Sequence, residues 1–114
     1  MIICKSKHEI EYMREAGKVV AGALAAVAKV IDVGITTAEL DRIAEEYILA
    51  NGAKPAFKGL YGFPATICAS INEQVVHGIP GLRKLKNGDI ISIDVGAEIN
   101  GYFGDSAITL PVGT

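Results

Sequence analysis

The sequence predicts an α+β domain in which two N-terminal helices pack on an antiparallel sheet. Two observations indicate this class. Helix-capping patterns with apolar residues at helical spacing fill the first part of the chain, and short apolar runs separated by Gly, Pro and Asn fill the rest. Helices that precede the strands, rather than alternate with them, are typical of α+β folds, where they cover the apolar face of the sheet. We expect one domain over residues 1–114, with strands and loops over 55–112.

The first helix is predicted over about residues 7–31. Ser6 and Glu9 form a capping-box pattern at its start, and Asp32 to Gly34 should end it. Its apolar stripe follows three- and four-residue steps through Ile10, Met13, Gly17, Val20, Leu24, Val27 and Ile31. Many of the residues between them are Ala or Gly, so we expect a sheet or a second helix to approach this helix closely.

The second helix is predicted over about residues 37–50. A second capping-box pattern runs from Thr36 to Glu39 and marks its start. Asn51-Gly52 should end it, because Asn and Gly are the residues that most readily adopt the left-handed conformation after a helix.

Asn100-Gly101, between two apolar-rich runs, is the strongest hairpin signal of the chain. A type I′ turn needs positive φ at both central residues, and Asn-Gly is the preferred pair for it. With this loop, Asp105 lies opposite Gly96 and Asp94 lies opposite Ala107. Because side chains alternate along a strand, both aspartates lie on one face as diagonal neighbours, with backbones about 7–8 Å apart. The hairpin alone fits either a shared cation or a solvated sheet face.

Composition and charge exclude several classes of protein. The net charge of −2 and the absence of a basic block argue against nucleic acid as a partner. Lys29 and Asp32 interrupt the longest apolar stretch, so it is not a membrane span. Two cysteines are too few for a disulfide framework, and the N-terminus lacks a signal-peptide pattern. We therefore expect a cytoplasmic protein without a membrane or nucleic-acid partner.

His77 is a candidate for acid–base chemistry. It lies between an apolar run at 74–76 and a Gly-Ile-Pro turn, where an imidazole can point into a cleft. A histidine with a pKa near neutrality suits hydrogen bonding or proton transfer to a substrate. A lone histidine is more often a loop or core residue satisfied by one backbone partner, so this position alone does not indicate a catalytic role.

Two motifs carry a resemblance to a known family, NEQVVHGIP at 72–80 and GDIISIDVGAEINGYFGDSA at 88–107. They closely resemble type I methionine aminopeptidases and, more loosely, the wider creatinase/prolidase group with the pita-bread fold. The helical front end resembles theirs as well. The resemblance implies one half of a pita-bread fold. It also implies a hydrolase that uses cobalt, manganese, iron or zinc to remove the initiator methionine when the next residue is small.

Carried over by position, the resemblance also implies roles for individual residues. Asp94 and Asp105 would be metal ligands, with Asp105 shared by both ions. His77 would be a catalytic residue that contacts the substrate near the scissile amide. The pocket for the methionine side chain would be lined by Phe57, Leu60, Phe63 and Cys68. Phe63 stands where the family often has tyrosine, so the pocket would be apolar at that position.

The resemblance also implies that this sequence is incomplete as an enzyme. In the family, one histidine and two glutamates from a second, C-terminal half complete the metal site, whereas the last glutamate here is Glu98. We therefore expect an N-terminal half-domain whose metal ions are incompletely liganded. It would act on N-terminal Met peptides together with the missing half or as a homodimer. The alternative is a non-catalytic metal-binding or self-associating half-domain, and the activity of the isolated chain stays open.

Overall fold

The computed structural model describes residues 7–58, 65–72 and 79–113, and in them two helices precede a four-stranded sheet. The elements are α1 (Lys7–Val30), α2 (Thr37–Ala50), β1 (Lys54–Pro55), β2 (Ile67–Ile71), β3 (Ile90–Ile99) and β4 (Tyr102–Pro111). The predicted α+β class is confirmed, and each helix boundary lies within one residue of the predicted one. The predicted cap at Ser6 and the apolar run at 74–76 lie outside the described residues. None of the helices in the described ranges is both long and apolar enough to cross a membrane.

α2 begins and ends with the local interactions that its sequence predicts. Thr36 is the N-cap, and its hydroxyl oxygen accepts a hydrogen bond of 3.2 Å from the Glu39 amide. At the other end Gly52 has a φ of 76°. The amides of Gly52 and Ala53 each donate a 3.1 Å hydrogen bond to carbonyls of the last helical turn, which is a Schellman motif. Both ends of α2 are therefore fixed by short-range hydrogen bonds.

β3 is the central strand of the sheet. β4 pairs antiparallel with its whole length on one side, and β1 and β2 pair antiparallel with successive parts of its other side. The β3–β4 connection has positive φ at both turn residues, 51° at Asn100 and 84° at Gly101. Asp94 pairs with Ala107, and Asp105 pairs with Gly96. The predicted turn and register are confirmed, so both aspartates lie on the same face of the sheet.

The core lies between the helices and the opposite face of this sheet. α1 packs across β3 and β4, and α2 packs against α1 and the ends of β1 and β2. Alternate β3 residues supply the centre of the core and are completely buried: Ile91, Ile93, Val95 and Ala97. The helices cover them with Val20, Ala23, Val27, Leu40, Ala44 and Ile48. The predicted division into a core face and a polar face is confirmed.

The α1 stripe differs from the prediction at its N-terminal end. Ile10 is 47% exposed and Met13 is 38% exposed, whereas the buried face of the helix begins at Ala16. The first turns of α1 lie beside the end of the hairpin, where Tyr12 stacks on Tyr102 with ring centroids 5.7 Å apart. They therefore lie beside the hairpin turn rather than over the centre of the sheet, and apolar periodicity alone does not show where the sheet ends.

Candidate functional site

Asp94 and Asp105 are diagonal neighbours on the face of the sheet that the helices leave uncovered. Both side chains are exposed. Neither carboxylate makes a hydrogen bond or an ion pair with another residue in the described part of the chain. Like charges this close on a sheet are unfavourable unless solvent or a cation compensates them. The hairpin therefore presents two uncommitted oxygen ligands to the same space.

Cys68 adds a thiol to this face. β2 pairs with β3 so that Cys68 lies directly opposite Asp94. Side chains of directly opposed residues project from the same face of a sheet, so the thiol lies beside the carboxylate. Partial burial raises the pKa of the Cys68 thiol, and the negative charge of Asp94 raises it further. The thiol is thus kept neutral, so it is a poor nucleophile.

Phe57 covers the same face further along β3, at Gly96. The Ala56 amide donates a 3.0 Å hydrogen bond to the Gly96 carbonyl, which extends the pairing of β1 with β3. The Phe57 ring then lies over Gly96, because a Cβ at Gly96 would come within 2.9 Å of the ring atom Cε1. Gly96 pairs with Asp105, so the ring lies next to both aspartates. An aromatic ring, a thiol and two carboxylates therefore converge on one patch of the sheet.

The structure thus brings together part of the site that the sequence predicts. Asp94, Asp105, Cys68 and Phe57 share one face, whereas the predicted site residues Leu60, Phe63 and His77 lie outside the described residues. Sequence reasoning missed Gly96, which admits the Phe57 ring. A glycine inside a strand is a signal of close approach by another group, and that signal was available.

The described residues fit a divalent cation only in part. Carboxylate oxygens suit hard divalent ions, and Asp94 and Asp105 supply them without competing partners in the described ranges. However, no group of three or more His, Cys, Asp or Glu side chains within the described ranges could hold a metal ion. Two protein ligands do not define a tight site, so a bound metal ion would need ligands beyond the described residues.

Comparison with known proteins gives consistent matches along the chain. The sequence model of Metallopeptidase family M24 matches residues 11–114 of the chain. Methionine aminopeptidase 1 of Bacillus subtilis is 59% identical over 113 residues, which are 99% of this chain and 46% of that protein. Methionine aminopeptidase of Clostridium perfringens is 55% identical over 113 residues, which are 99% of this chain and 45% of that protein. The chain therefore spans slightly less than half the length of these relatives.

Solved structures match the whole arrangement of helices and strands. Methionine aminopeptidase from Thermotoga maritima superposes with a TM-score of 0.93 at 47% identity, over 99% of this chain and 46% of that chain. Prolidase from Pyrococcus furiosus superposes with a TM-score of 0.84 at 30% identity, over 98% of this chain and 32% of that chain. The two helices and the sheet correspond to one half of the pita-bread fold of these proteins.

Proposed function

Because the chain belongs to Metallopeptidase family M24, we propose that it is the N-terminal half of a methionine aminopeptidase. Such an enzyme is a metal-dependent hydrolase that removes the initiator methionine from peptides. The observation that supports this most is the convergence of two uncommitted carboxylates with two apolar groups on one sheet face. Asp94 and Asp105 supply the carboxylates, and Cys68 and Phe57 supply the apolar groups.

Asp94 and Asp105 would hold divalent metal ions in this proposal. Their short side chains keep the carboxylate oxygens close to the sheet, and strand pairing fixes their spacing. A pair of bound ions would polarise the peptide carbonyl and acidify a water molecule for attack. The family resemblance suggests cobalt, manganese, iron or zinc as the metal, and of these the two carboxylates by themselves suit manganese best.

The methionine side chain of the substrate would lie against Phe57 and Cys68. A thioether makes favourable contacts with aromatic rings, and a neutral thiol adds apolar surface beside it. We propose Leu60 and Phe63, which fall between these two residues in the sequence, as further walls of the pocket. His77 would donate a hydrogen bond to the substrate near the scissile amide, the role that the family motif implies.

The remaining metal ligands must come from beyond the described residues, since these hold no cluster of three ligands. We propose that a segment corresponding to the other half of the relatives supplies them, in the same chain or in a partner chain. A homodimer would instead bring two aspartate pairs around a common cavity. We place the protein in the cytoplasm, where nascent peptides are its substrates.

A non-catalytic metal-binding or self-associating half-domain is the second candidate function. The same absence of a third ligand in the described ranges favours it. The two candidates differ in one measurable respect. A half-enzyme gains peptidase activity when the missing ligands are supplied, whereas a non-catalytic half-domain gains none.

The test uses the chain alone and the chain fused to the part of the Bacillus subtilis relative that it does not match, called here the joined protein. Release of methionine from a Met-Ala-Ser peptide is measured with added manganese or cobalt. We expect the joined protein to release methionine and the chain alone to release far less. Asp94→Asn and Asp105→Asn in the joined protein should abolish release.

A joined protein that folds and binds metal but releases no methionine would overturn the proposed activity. Activity that survives both aspartate substitutions would indicate a contaminant. Light scattering and metal stoichiometry on the chain alone decide between a monomer and a homodimer. A monomer that binds no metal at micromolar concentration would exclude the homodimer as the active form.

A further inference from the structure

Building on the proposed function, we propose that Asp41 and Glu45 are positioning residues that set the methionine pocket without touching the substrate. Both lie on α2, one helical turn apart. Their carboxylates bind the chain next to the two described pocket residues, Phe57 and Cys68. The proposal follows from four hydrogen bonds that link α2 to the two chain stretches that carry these residues.

Asp41 fixes the start of β2. Its Oδ1 atom accepts hydrogen bonds from two successive backbone amides, that of Thr66 at 2.8 Å and that of Ile67 at 2.9 Å. Both amides directly precede Cys68 in the chain. Hydrogen bonds to a charged acceptor are stronger than those between neutral groups. A single carboxylate oxygen on α2 therefore determines where the strand carrying the Cys68 thiol begins.

Glu45 links the start of β2, at Thr66, to the stretch that carries Phe57. Its Oε1 atom accepts a hydrogen bond of 3.2 Å from the Thr66 hydroxyl and one of 2.6 Å from the Lys58 ammonium. Lys58 directly follows Phe57, and the Thr66 side chain is completely buried. The hydrogen bond from Lys58 to Glu45, and then the negative charge of Glu45, raise the pKa of Lys58, which stays charged. One carboxylate therefore sets the separation between the Phe57 stretch and the Cys68 strand.

Thr37 extends the same row on α2, because Thr37, Asp41 and Glu45 are spaced four residues apart. The Thr37 hydroxyl oxygen accepts a 2.8 Å hydrogen bond from the Gly81 amide and lies 3.2 Å from the Gly81 carbonyl oxygen, to which it can donate. Gly81 follows the HGIP motif that contains His77. Side chains along one edge of α2 therefore make hydrogen bonds to residues that lie next to each stretch with a predicted substrate contact.

Glu46 provides a matched control on the same helix. It carries the same charge as Glu45, but its Oε1 atom pairs with Arg42 at 2.9 Å, and both side chains are largely exposed. Exposed pairs of this kind contribute little to stability. Glu46→Ala therefore removes a carboxylate from α2 without changing any contact to the Phe57 or Cys68 stretch.

The distinguishing measurement is selectivity for the substrate side chain. If Asp41 and Glu45 set the spacing of Phe57 and Cys68, then losing either alters the shape of the pocket. A poorly shaped pocket discriminates less between side chains that differ by one group, where a well-shaped one gives roughly 10- to 200-fold selectivity. We expect Asp41→Ala in the joined protein to reduce the preference for Met-Ala-Ser over Leu-Ala-Ser about tenfold, measured as a ratio of kcat/KM.

Asp41→Asn keeps an oxygen acceptor in place and should restore most of that selectivity, and Glu46→Ala should leave it unchanged. A mere loss of folded protein would lower activity on both peptides equally and leave their ratio unchanged. If Asp41→Ala does not fold, Glu45→Ala gives the same test. The hydrogen bonds that Glu45→Ala removes are partly exposed, so their loss should leave the protein folded.

A second measurement needs no activity and uses the chain itself. Hydrogen exchange at the Thr66 and Ile67 amides and the alkylation rate of Cys68, read by mass spectrometry, should both rise in Asp41→Ala and not in Glu46→Ala. If the joined protein is inactive, the proposed function fails while these readouts still test the anchoring. An active joined protein in which Asp41→Ala and Glu45→Ala leave both selectivity and Cys68 alkylation unchanged would overturn the positioning role.

Discussion

Cys68 and Asp94 lie directly opposite each other on adjacent antiparallel strands, so a thiol and a carboxylate project from the same face of the sheet. Asp105 reaches that face from the strand on the other side of β3. Backbone pairing, rather than loop conformation, therefore fixes the spacing of these groups. Substitutions of the exposed Asp94 and Asp105 should change the chemistry of the face without changing the fold.

The first prediction concerns metal affinity. We expect the chain to bind manganese weakly, and Asp94→Asn or Asp105→Asn to weaken that binding by at least about tenfold, because each removes one of two oxygen ligands. The stability of the metal-free protein should be unchanged or slightly higher, since one of two neighbouring like charges is lost. Calorimetric titration measures the affinity, and Asp32→Asn in the exposed loop after α1 is the charge-matched control. Unchanged affinity in both site variants would place the metal elsewhere.

The second prediction concerns Gly96 beneath the Phe57 ring. A Cβ at this position would lie 2.9 Å from Phe57 Cε1 and 3.2 Å from Ala56 Cβ, so Gly96→Ala must displace the ring. The cost should be about 1 kcal/mol, near the lower end for overpacking, because a partly exposed ring can turn aside. Urea unfolding measures it. A Cβ at Gly17 in α1 would meet no neighbouring atom within 4 Å, so Gly17→Ala should instead stabilise the protein by about 0.5–1 kcal/mol. Equal effects of the two substitutions would contradict the contact.

The third prediction concerns the approach of α1 to β4 at Gly104. A Cβ there would lie 2.8 Å from the Gly17 nitrogen and 2.9 Å from the Ala16 carbonyl carbon. Backbone atoms inside a helix cannot turn aside, so Gly104→Ala must push α1 away from the sheet. We expect destabilisation of about 3 kcal/mol, larger than that of Gly96→Ala. Urea unfolding of the two variants under the same conditions decides the order, and a smaller cost for Gly104→Ala would be inconsistent with this helix–sheet contact.

The parts of the fold that the sequence predicts are those set by short-range chemistry. Asn100-Gly101 determines a tight turn, the turn determines the register of β3 with β4, and alternation then places Asp94 and Asp105 on one face. The contact of Phe57 with Gly96 and the bond from Asp41 to Ile67 join residues far apart in the chain. No tight turn or periodic pattern identifies these partners. The strand glycine Gly96 signals that another group approaches closely, but it does not show that this group is Phe57.

Asp89 provides the last prediction, which concerns acid stability. It is a buried residue in the turn before β3, where its carboxylate accepts a hydrogen bond of 2.9 Å from the Lys86 amide and one of 3.1 Å from the Asn72 side chain. The Lys86 amide most strongly, and then the Asn72 side chain, hold the pKa of Asp89 below its ordinary value of 3.8. The ionised form therefore stabilises the fold fully above that ordinary value. The stabilisation by ionised Asp89 is lost as the pH falls below the ordinary value and through the lower pKa of the folded state.

We therefore expect Asp89→Asn to destabilise the protein clearly at pH 7 and less at pH 2, which lies below the ordinary carboxyl pKa of 3.8. The neutral amide resembles the protonated carboxyl that the native protein has in acid. The measurement is the difference in free energy of unfolding between variant and native protein at both pH values, which cancels the titration of the other carboxylates. Glu11→Gln, exposed on α1, controls for the loss of one negative charge and should show a small difference at both. A loss of stability in Asp89→Asn that is the same at pH 7 and pH 2 would show that these hydrogen bonds do not depend on the charge of Asp89.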